Sequence, residues 1–444
     1  MSLPPSRQDV ADATNVFTNM LSRLRAVEHF AVGRRVLAVV ALGRLSPAPI
    51  RQVLFGHAHS PDDGEGYSQL KKLLLDAAVQ VEADDPALRG VFTDVLIPDA
   101  FQTRFLDQNA LFAAGLLGRL PPPSIRDDFA RWFSDRLDQI VLAGPAASEV
   151  GTPSPLAELM VELADIRPGD RIYDPCCGLG GLLALAGRRD STLLLSGHEL
   201  HPVSWALSTL RLRLLGFDAR VERGDALRSL EADPADRVLC DPPLGSYISP
   251  GSEQRIDASR PSSGLTRRMD SLFLEKSWNA LSSSGRGVVL VSQPTLFRRG
   301  AEQVLRARLL ENRVIETVIA LPPSAASWTS AELALVILDR RPGRDRIRFI
   351  DGGRLPTMMG ARGPFSPHAI LQAYADPEDR PWSKSVAFEA FQEDNSLVPR
   401  RHIHVAAERP TVTELVGRAR DLKARAEQRI SHIDVLMNRL IPES

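Results

Sequence analysis

Cysteine is scarce in this chain: three among 444 residues, Cys176, Cys177 and Cys240. That is too few for a disulfide scaffold, and the spacing does not suit zinc, so they read as small core residues in a reducing compartment. No His or Asn constellation supports a cysteine nucleophile. Long apolar runs are also lacking; stretches such as Val36 to Leu42 are too short to span a bilayer. With no secretory pattern at the amino terminus, the expectation is a soluble, cytoplasmic protein with no membrane partner and no metal. An excess of charge is missing as well, because 54 basic against 55 acidic residues leave a net charge of −1. A protein that grips nucleic acid unaided is usually basic or has a pronounced basic face. Arginine pairs at 267–268, 298–299, 340–341 and 400–401 are local exceptions, each reading first as solvated surface.

What is present is enough apolar material, 43% of the chain, to fill substantial cores in two to three domains. Residues 1 to 145 carry helical periodicity, over Val10 to Val27, Leu70 to Val81 and Asp128 to Val141, separated by turn-rich segments such as Ser60 to Gly66 and Pro121 to Pro123. They are expected to form a helical amino-terminal domain. From 146 to 405 strand and helix patterns alternate, which predicts an α/β domain with a doubly wound sheet. Residues 406 to 444 form a third part. Thr411 and Glu414 make a capping box after Pro410, and Val412, Leu415, Ala419, Leu422, Ala426, Ile433, Leu436 and Leu440 follow at three- and four-residue steps, broken at Arg429. This predicts a coiled-coil-like helix over 411–440, which either joins another chain, a second copy included, or packs on its own domain.

The chemistry concentrates in the middle part. Arg171-Ile-Tyr reads as a strand that turns at Asp174-Pro-Cys-Cys-Gly-Leu-Gly-Gly181 into an apolar helix. Glycines at 178, 180 and 181 allow close backbone approach to a ligand, and a helix start offers N–H groups to an anion. A plain tight turn has the same pattern. Leu183 stands where a dinucleotide fingerprint needs Gly or Ala, which argues against a nicotinamide enzyme. A second strand, Leu193 to Glu199, ends in an acid about 20 residues on, the spacing at which a carboxylate meets ribose hydroxyls. After a helix over Ala206 to Leu215, a third strand runs from Arg220 to Asp225. Each acid alone is also an ordinary cap or loop residue. Ligands of open parallel sheets, however, bind beyond the carboxyl ends of successive strands, where all of these acids fall.

A fourth strand, Arg237 to Cys240, leads into Asp241-Pro-Pro-Leu244. Two prolines stiffen the backbone and present an acceptor side chain beside a backbone carbonyl. Such a pair can grip the hydrogens of a nucleobase amino group and localise its lone pair, while a sulfonium cofactor brings the electrophile; together the motifs point to methyl transfer. Taken alone, Asp-Pro-Pro is an ordinary turn. Pro250 to Thr266, just beyond, reads either as a substrate flap or as a surface insertion.

Over residues 125 to 405 these motifs resemble those of the adenine-specific DNA methyltransferases that serve as modification subunits of type I restriction-modification systems. Gly151-Thr-Pro-Ser-Pro-Leu matches a Thr-Pro motif ahead of the glycine turn. Ser271 to Lys276, Gly285 to Phe297, Val314 to Pro323 and Asn395 to Ile403 match later segments. The resemblance implies a class I methyltransferase fold, Rossmann-like, with S-adenosylmethionine as cofactor. It implies cofactor contacts at Thr152, Asp174, Gly178, Gly180, Glu199 and Asp225, and catalytic roles for Asp241, Pro242, Pro243 and Leu244. It also implies DNA, a specificity subunit and a restriction nuclease subunit as partners; residues beyond 405 are expected to leave no room for target recognition. Two positions depart from the family: Asp241 stands where Asn is usual, and Leu244 where Phe or Tyr stacks on the extruded base. Tyr247 is either a substitute for that ring or a surface tyrosine. Two alternatives therefore stay open, a methyltransferase-like scaffold without activity and an enzyme whose acceptor is RNA, protein or a small molecule.

Overall fold

The computed structural model describes residues 26–46, 64–100, 126–142, 151–229, 233–248, 268–325, 331–356, 365–391 and 395–403, with single positions at 15, 17, 18, 420 and 423. The chain divides into two compact units, Met1–His402 and Ile403–Ser444. The flap candidate at 250–266 lies outside the described residues, as does the 411–440 helix except for positions 420 and 423, both helical. Among the described residues no helix is long and apolar enough to cross a membrane.

Three long helices lie in the amino-terminal part: α1 (Ala26–Leu45), α2 (Gly64–Asp84) and α3 (Arg126–Leu142). The expected helices at 70–81 and 128–141 fall within α2 and α3, although α2 begins at Gly64, inside the segment expected to be a turn. Of the helix expected over 10–27, positions 15, 17, 18, 26 and 27 are described and helical. From Val36 to Leu42 helix α1 is buried on every side. A helix without a polar face has no amphipathic period to detect, which is why its pattern registers only as an apolar run.

The second half begins with α4 (Ser154–Leu163), followed by β1 (Arg171–Asp174), α5 (Gly181–Gly187), β2 (Leu194–Glu199), α6 (Pro202–Leu214), β3 (Ala219–Arg223) and β4 (Ala235–Cys240). Then come α7 (Met269–Ala280), β5 (Leu281–Ser292), α8 (Ala301–Glu311), β6 (Ile315–Ala320), β7 (Leu333–Asp339), β8 (Arg346–Asp351), α9 (Pro367–Ala375) and β9 (Ser383–Ala387). The nine strands form one sheet in the order β3-β2-β1-β4-β5-β7-β6-β8-β9. Neighbours from β3 to β5 are parallel, whereas β7 runs antiparallel to both β5 and β6. The α/β expectation holds, with the third strand ending at Arg223 rather than Asp225.

After β1 the chain winds outward through β2 and β3, then returns to place β4 on the other side of β1. The reversal opens a crevice above the carboxyl ends of β1 and β4. The helical part is fastened to this half by apolar packing of α1 to α3 against Leu179, Val203, Ala206, Leu207 and Leu210. A polar tie accompanies it. The buried Arg211 of α6 donates to Asp138 Oδ1 and Oδ2 at 2.9 and 2.7 Å, to Ser134 Oγ at 2.9 Å, and to the Leu179 carbonyl at 3.3 Å.

Candidate active site

The crevice is a cleft of about 360 Å³. One acid from each of the first four strand ends lines it: Asp174 from β1, Glu199 from β2, Asp225 beyond β3 and Asp241 beyond β4. Thr152, Gly178, Pro242 and Pro243 line the same space. Eight of the ten residues singled out in the sequence thus meet in one place. The other two serve elsewhere. Gly180 adopts a left-handed φ of 73°, and a Cβ there would come within 3.2 Å of Ser208 Cβ, so this glycine allows the turn to seat on α6. Leu244 is half-buried and packs on the apolar cluster beneath the sheet's central strands.

Backbone amides organise the cofactor side of the cleft. Asp174 Oδ1 accepts from Cys176 N at 3.0 Å, closing the turn after β1. Glu199 accepts from Gly178 N at 3.0 Å through Oε2 and from His201 N at 2.6 Å through Oε1, so it locks the glycine turn to the end of β2. Each carboxylate oxygen has a second lone pair, which leaves acceptor capacity toward the cleft. Asp225 accepts from Leu227 N at 3.0 Å and pairs with Arg228 at 3.2 Å. Beneath it, the Lys276 ammonium donates to the Ser229 carbonyl at 2.8 Å. Burial lowers its pKa to about 8, opposed by the neighbouring Asp225 charge.

Burial also raises Asp174, Glu199 and Asp241. Asp174 is pushed up to about 8 by desolvation, with Asp241 and Glu199 adding like charge, and Glu199 is raised by burial against its backbone donors. Asp241 is pushed up to about 6 by burial, opposed by the hydrogen bond that Thr152 Oγ1 donates to its Oδ2 at 2.7 Å. Thr152, expected among the cofactor contacts, therefore touches the Asp-Pro-Pro turn directly. The Cys176 sulfur rests against the same turn, 3.5 Å from the Asp241 carbonyl oxygen and 3.6 Å from the Cys240 sulfur.

Met269 and Phe273 of α7 complete the wall. Both escaped the sequence reading, although their four-residue spacing places them on one helix face. Tyr247 is exposed at 57% and stands just beyond the turn, with its hydroxyl accepting from Arg268 Nη1 at 2.8 Å.

These residues fit a nucleoside-type sulfonium cofactor. The cleft carries carboxylate acceptors of the kind that ribose hydroxyls and an adenine amino group require, and its ionised acids suit a cation. Gly197 makes the cradle tight, because a Cβ there would meet the Asp174 carbonyl at 3.1 Å and Cys177 Cβ at 3.2 Å.

Comparison with known proteins agrees with this geometry. Residues 139–410 match the family model described as N-6 DNA Methylase. The type I restriction enzyme MpnII methylase subunit of Mycoplasma pneumoniae is 23% identical over 333 residues, 66% of this chain and 61% of that protein. The EcoEI methylase subunit of Escherichia coli is 28% identical over 212 residues, 43% of this chain and 42% of that protein. The matches thus span about three fifths or less of these relatives' length. Among solved structures, the type I restriction-modification methyltransferase subunit from Streptococcus thermophilus aligns with a TM-score of 0.62 at 20% identity, covering 86% of this chain and 95% of that one. A chain from a type I R-M system, studied for complex assembly and conformational transition, aligns with a TM-score of 0.66 at 20% identity over 99% and 100%. The fold is that of the class I methyltransferases, and the chain belongs to the N-6 DNA methylase family.

Proposed function

We propose that this chain is a modification subunit of the type I kind, which transfers a methyl group from S-adenosylmethionine to the exocyclic amino group of adenine in DNA. The observation that carries the reading is the convergence of Asp174, Glu199, Asp225 and Asp241 on one cleft at the sheet's reversal point. Glu199 holds the ribose and Asp225 the cofactor's adenine. Asp174 and Gly178 shape the turn between them, with Gly180 behind it. S-adenosylmethionine, when bound, supplies an electrophilic methyl group. Asp241 and the Pro242 carbonyl accept hydrogen bonds from the target amino group, Pro243 stiffens the turn, and Thr152 fixes the Asp241 carboxylate. A pKa near 6 leaves Asp241 mostly ionised at neutral pH, hence an acceptor able to take the proton that the amino nitrogen sheds. Because the target atom is stacked within a duplex, the base must be extruded to reach the cleft.

DNA selection in this reading comes from a separate specificity subunit, with a restriction nuclease subunit as a further partner and the cytoplasm as the site of action. The working division is a helical domain at 1–145, the methyltransferase domain at 146–405 and a partner-binding helix at 406–444. A second reading, a scaffold with little or no activity, is favoured by Leu244, whose half-buried side chain packs against the core and presents no ring to a base.

Labelled methyl transfer to DNA, with the candidate specificity partner present, separates the two readings. Wild type transfers slowly, Asp241→Ala abolishes transfer while S-adenosylmethionine still binds by titration calorimetry, and Leu244→Phe brings no gain because Leu244 packs against the apolar cluster and does not line the cleft. Wild-type inactivity with normal cofactor and partner binding establishes the scaffold reading, and no cofactor binding at all removes the methyltransferase reading.

A further inference from the structure

Beyond the cleft, the carboxyl ends of β4 and β5 carry a second construction. Tyr247 follows the Asp-Pro-Pro turn, and Phe297, Arg298, Arg299 follow the short 3-10 helix Gln293–Leu296 that ends β5. All four side chains are exposed. Among the described residues, neither Arg298 nor Arg299 has an acidic partner. Isolated arginine pairs are usually solvated surface, but these sit on a braced base.

The brace is a chain of buried polar groups. Arg268, buried at the start of α7, donates to the Tyr247 hydroxyl through Nη1 and to Ser292 Oγ through Nη2 at 2.9 Å, and its guanidinium lies 5.3 Å from the Tyr247 ring centroid. Asp270, fully buried, accepts from Ser292 N at 3.1 Å and from Thr295 Oγ1 at 3.0 Å. Arg306, fully buried on α8, spends its guanidinium on three backbone carbonyls: Thr295 at 2.9 Å, Arg298 at 2.8 Å and Asn395 at 2.8 Å. Burying arginine and aspartate is costly unless their charges are met by hydrogen bonds in good geometry, and here those bonds go into fixing two short exposed segments. The rim adjoins the cleft, because Met269, next to Arg268, is part of the cleft wall.

We propose that Tyr247, Phe297, Arg298 and Arg299 form a prebuilt rim that holds the DNA strand carrying the target base, with the rings stacked on bases and the guanidinium groups on phosphates. Aromatic rings interleaved with cations suit an unstacked strand, since rings accept any base face and cations track the backbone. Arg268, Asp270 and Arg306 are positioning residues. The proposal rests on DNA being the acceptor and specifies where the strand lies.

The test is fluorescence anisotropy with labelled single-stranded and duplex oligodeoxynucleotides over a salt series, using the full chain. Replacing Arg298 and Arg299 together by Ala flattens the salt dependence by about two ion equivalents and lowers affinity roughly 10- to 100-fold at low salt. Tyr247→Ala and Phe297→Ala each weaken single-strand binding by about 5- to 150-fold with the salt slope unchanged. The control replaces Arg167 and Arg346, at the opposite end of the strands, and keeps the wild-type slope. S-adenosylmethionine affinity stays at the wild-type value in every variant, which confirms folding. A wild-type slope in the Arg298/Arg299 variant, or an equal loss in the control, overturns the rim and leaves the DNA reading standing. A wild-type chain that binds cofactor but no DNA at low salt, both alone and with the candidate specificity partner present, overturns the DNA reading, and the rim with it.

Discussion

Asp174 is the residue at which burial and charge conflict most directly. Its carboxyl is 1% exposed and surrounded by like charge, and it is pushed from 3.8 up to about 8. A carboxyl whose folded pKa is raised keeps its proton longer in the folded state than in the unfolded chain. Its contribution to stability is therefore complete below 3.8 and is lost as pH rises toward 8. Asp174→Asn stays neutral throughout and can still accept from Cys176 N. We expect the variant's thermal midpoint, relative to wild type, to climb steadily between about pH 5 and about pH 8 without ligand, as followed by differential scanning calorimetry. A constant offset across that range contradicts the assignment. The acids at 174, 199, 225 and 241 were legible in the sequence because strand-end position is a one-dimensional property. The partner of Thr152 and the packing of Leu244 against the apolar cluster were not, since each depends on which way a side chain turns. Phe273 was hidden in the same way, as one apolar residue of a buried helix face.

At the scale of elements, legibility followed periodicity. Strands β1 to β4 and helices α2, α3 and α6 announce themselves by apolar spacing and by the turns that bound them, whereas α1 is apolar all round over Val36 to Leu42. Strand β7 is similar: all seven of its residues are buried, and a strand covered on both faces looks the same parallel or antiparallel, so its reversed insertion between β5 and β6 left no trace. Joints between elements are equally silent in sequence, and Arg211 is the clearest of them. It ties α3 to α6 and holds the Leu179 carbonyl within the glycine turn. Arg211→Met keeps most of the volume but removes the donor to that carbonyl and leaves Ser134 Oγ with only the 3.5 Å contact from Arg188. The expected loss is about 1.5 to 3 kcal/mol in urea unfolding, with weaker S-adenosylmethionine binding as the turn loosens. Arg189→Met, which breaks the exposed pair with Glu162, should stay within about 1 kcal/mol of wild type and leave cofactor affinity intact. Equal losses in the two variants, or normal cofactor binding in Arg211→Met, would show that the joint does not support the turn.

At the scale of the whole molecule, a net charge of −1 gives no long-range attraction to a polyanion. Binding DNA then depends on local groups and on a partner that brings the target to the cleft. The sequence places a heptad seam over 411–440, within the second compact unit, Ile403–Ser444. A seam of Val412, Leu415, Ala419, Leu422 and Ala426, continued by Ile433, Leu436 and Leu440, is suited to another helix, in a specificity partner or in a second copy. Truncation after Val405 cuts close to the boundary between the two units, so the sheet and cleft should persist, with an unchanged unfolding midpoint and unchanged S-adenosylmethionine affinity. The assembled mass in light scattering should fall, or copurification with the specificity partner should cease. The two results separate self-association from partner binding, because the first is seen with the isolated chain and the second only when both proteins are present. An unchanged mass and partner set, accompanied by a destabilised monomer, would mean that the helix packs on its own domain.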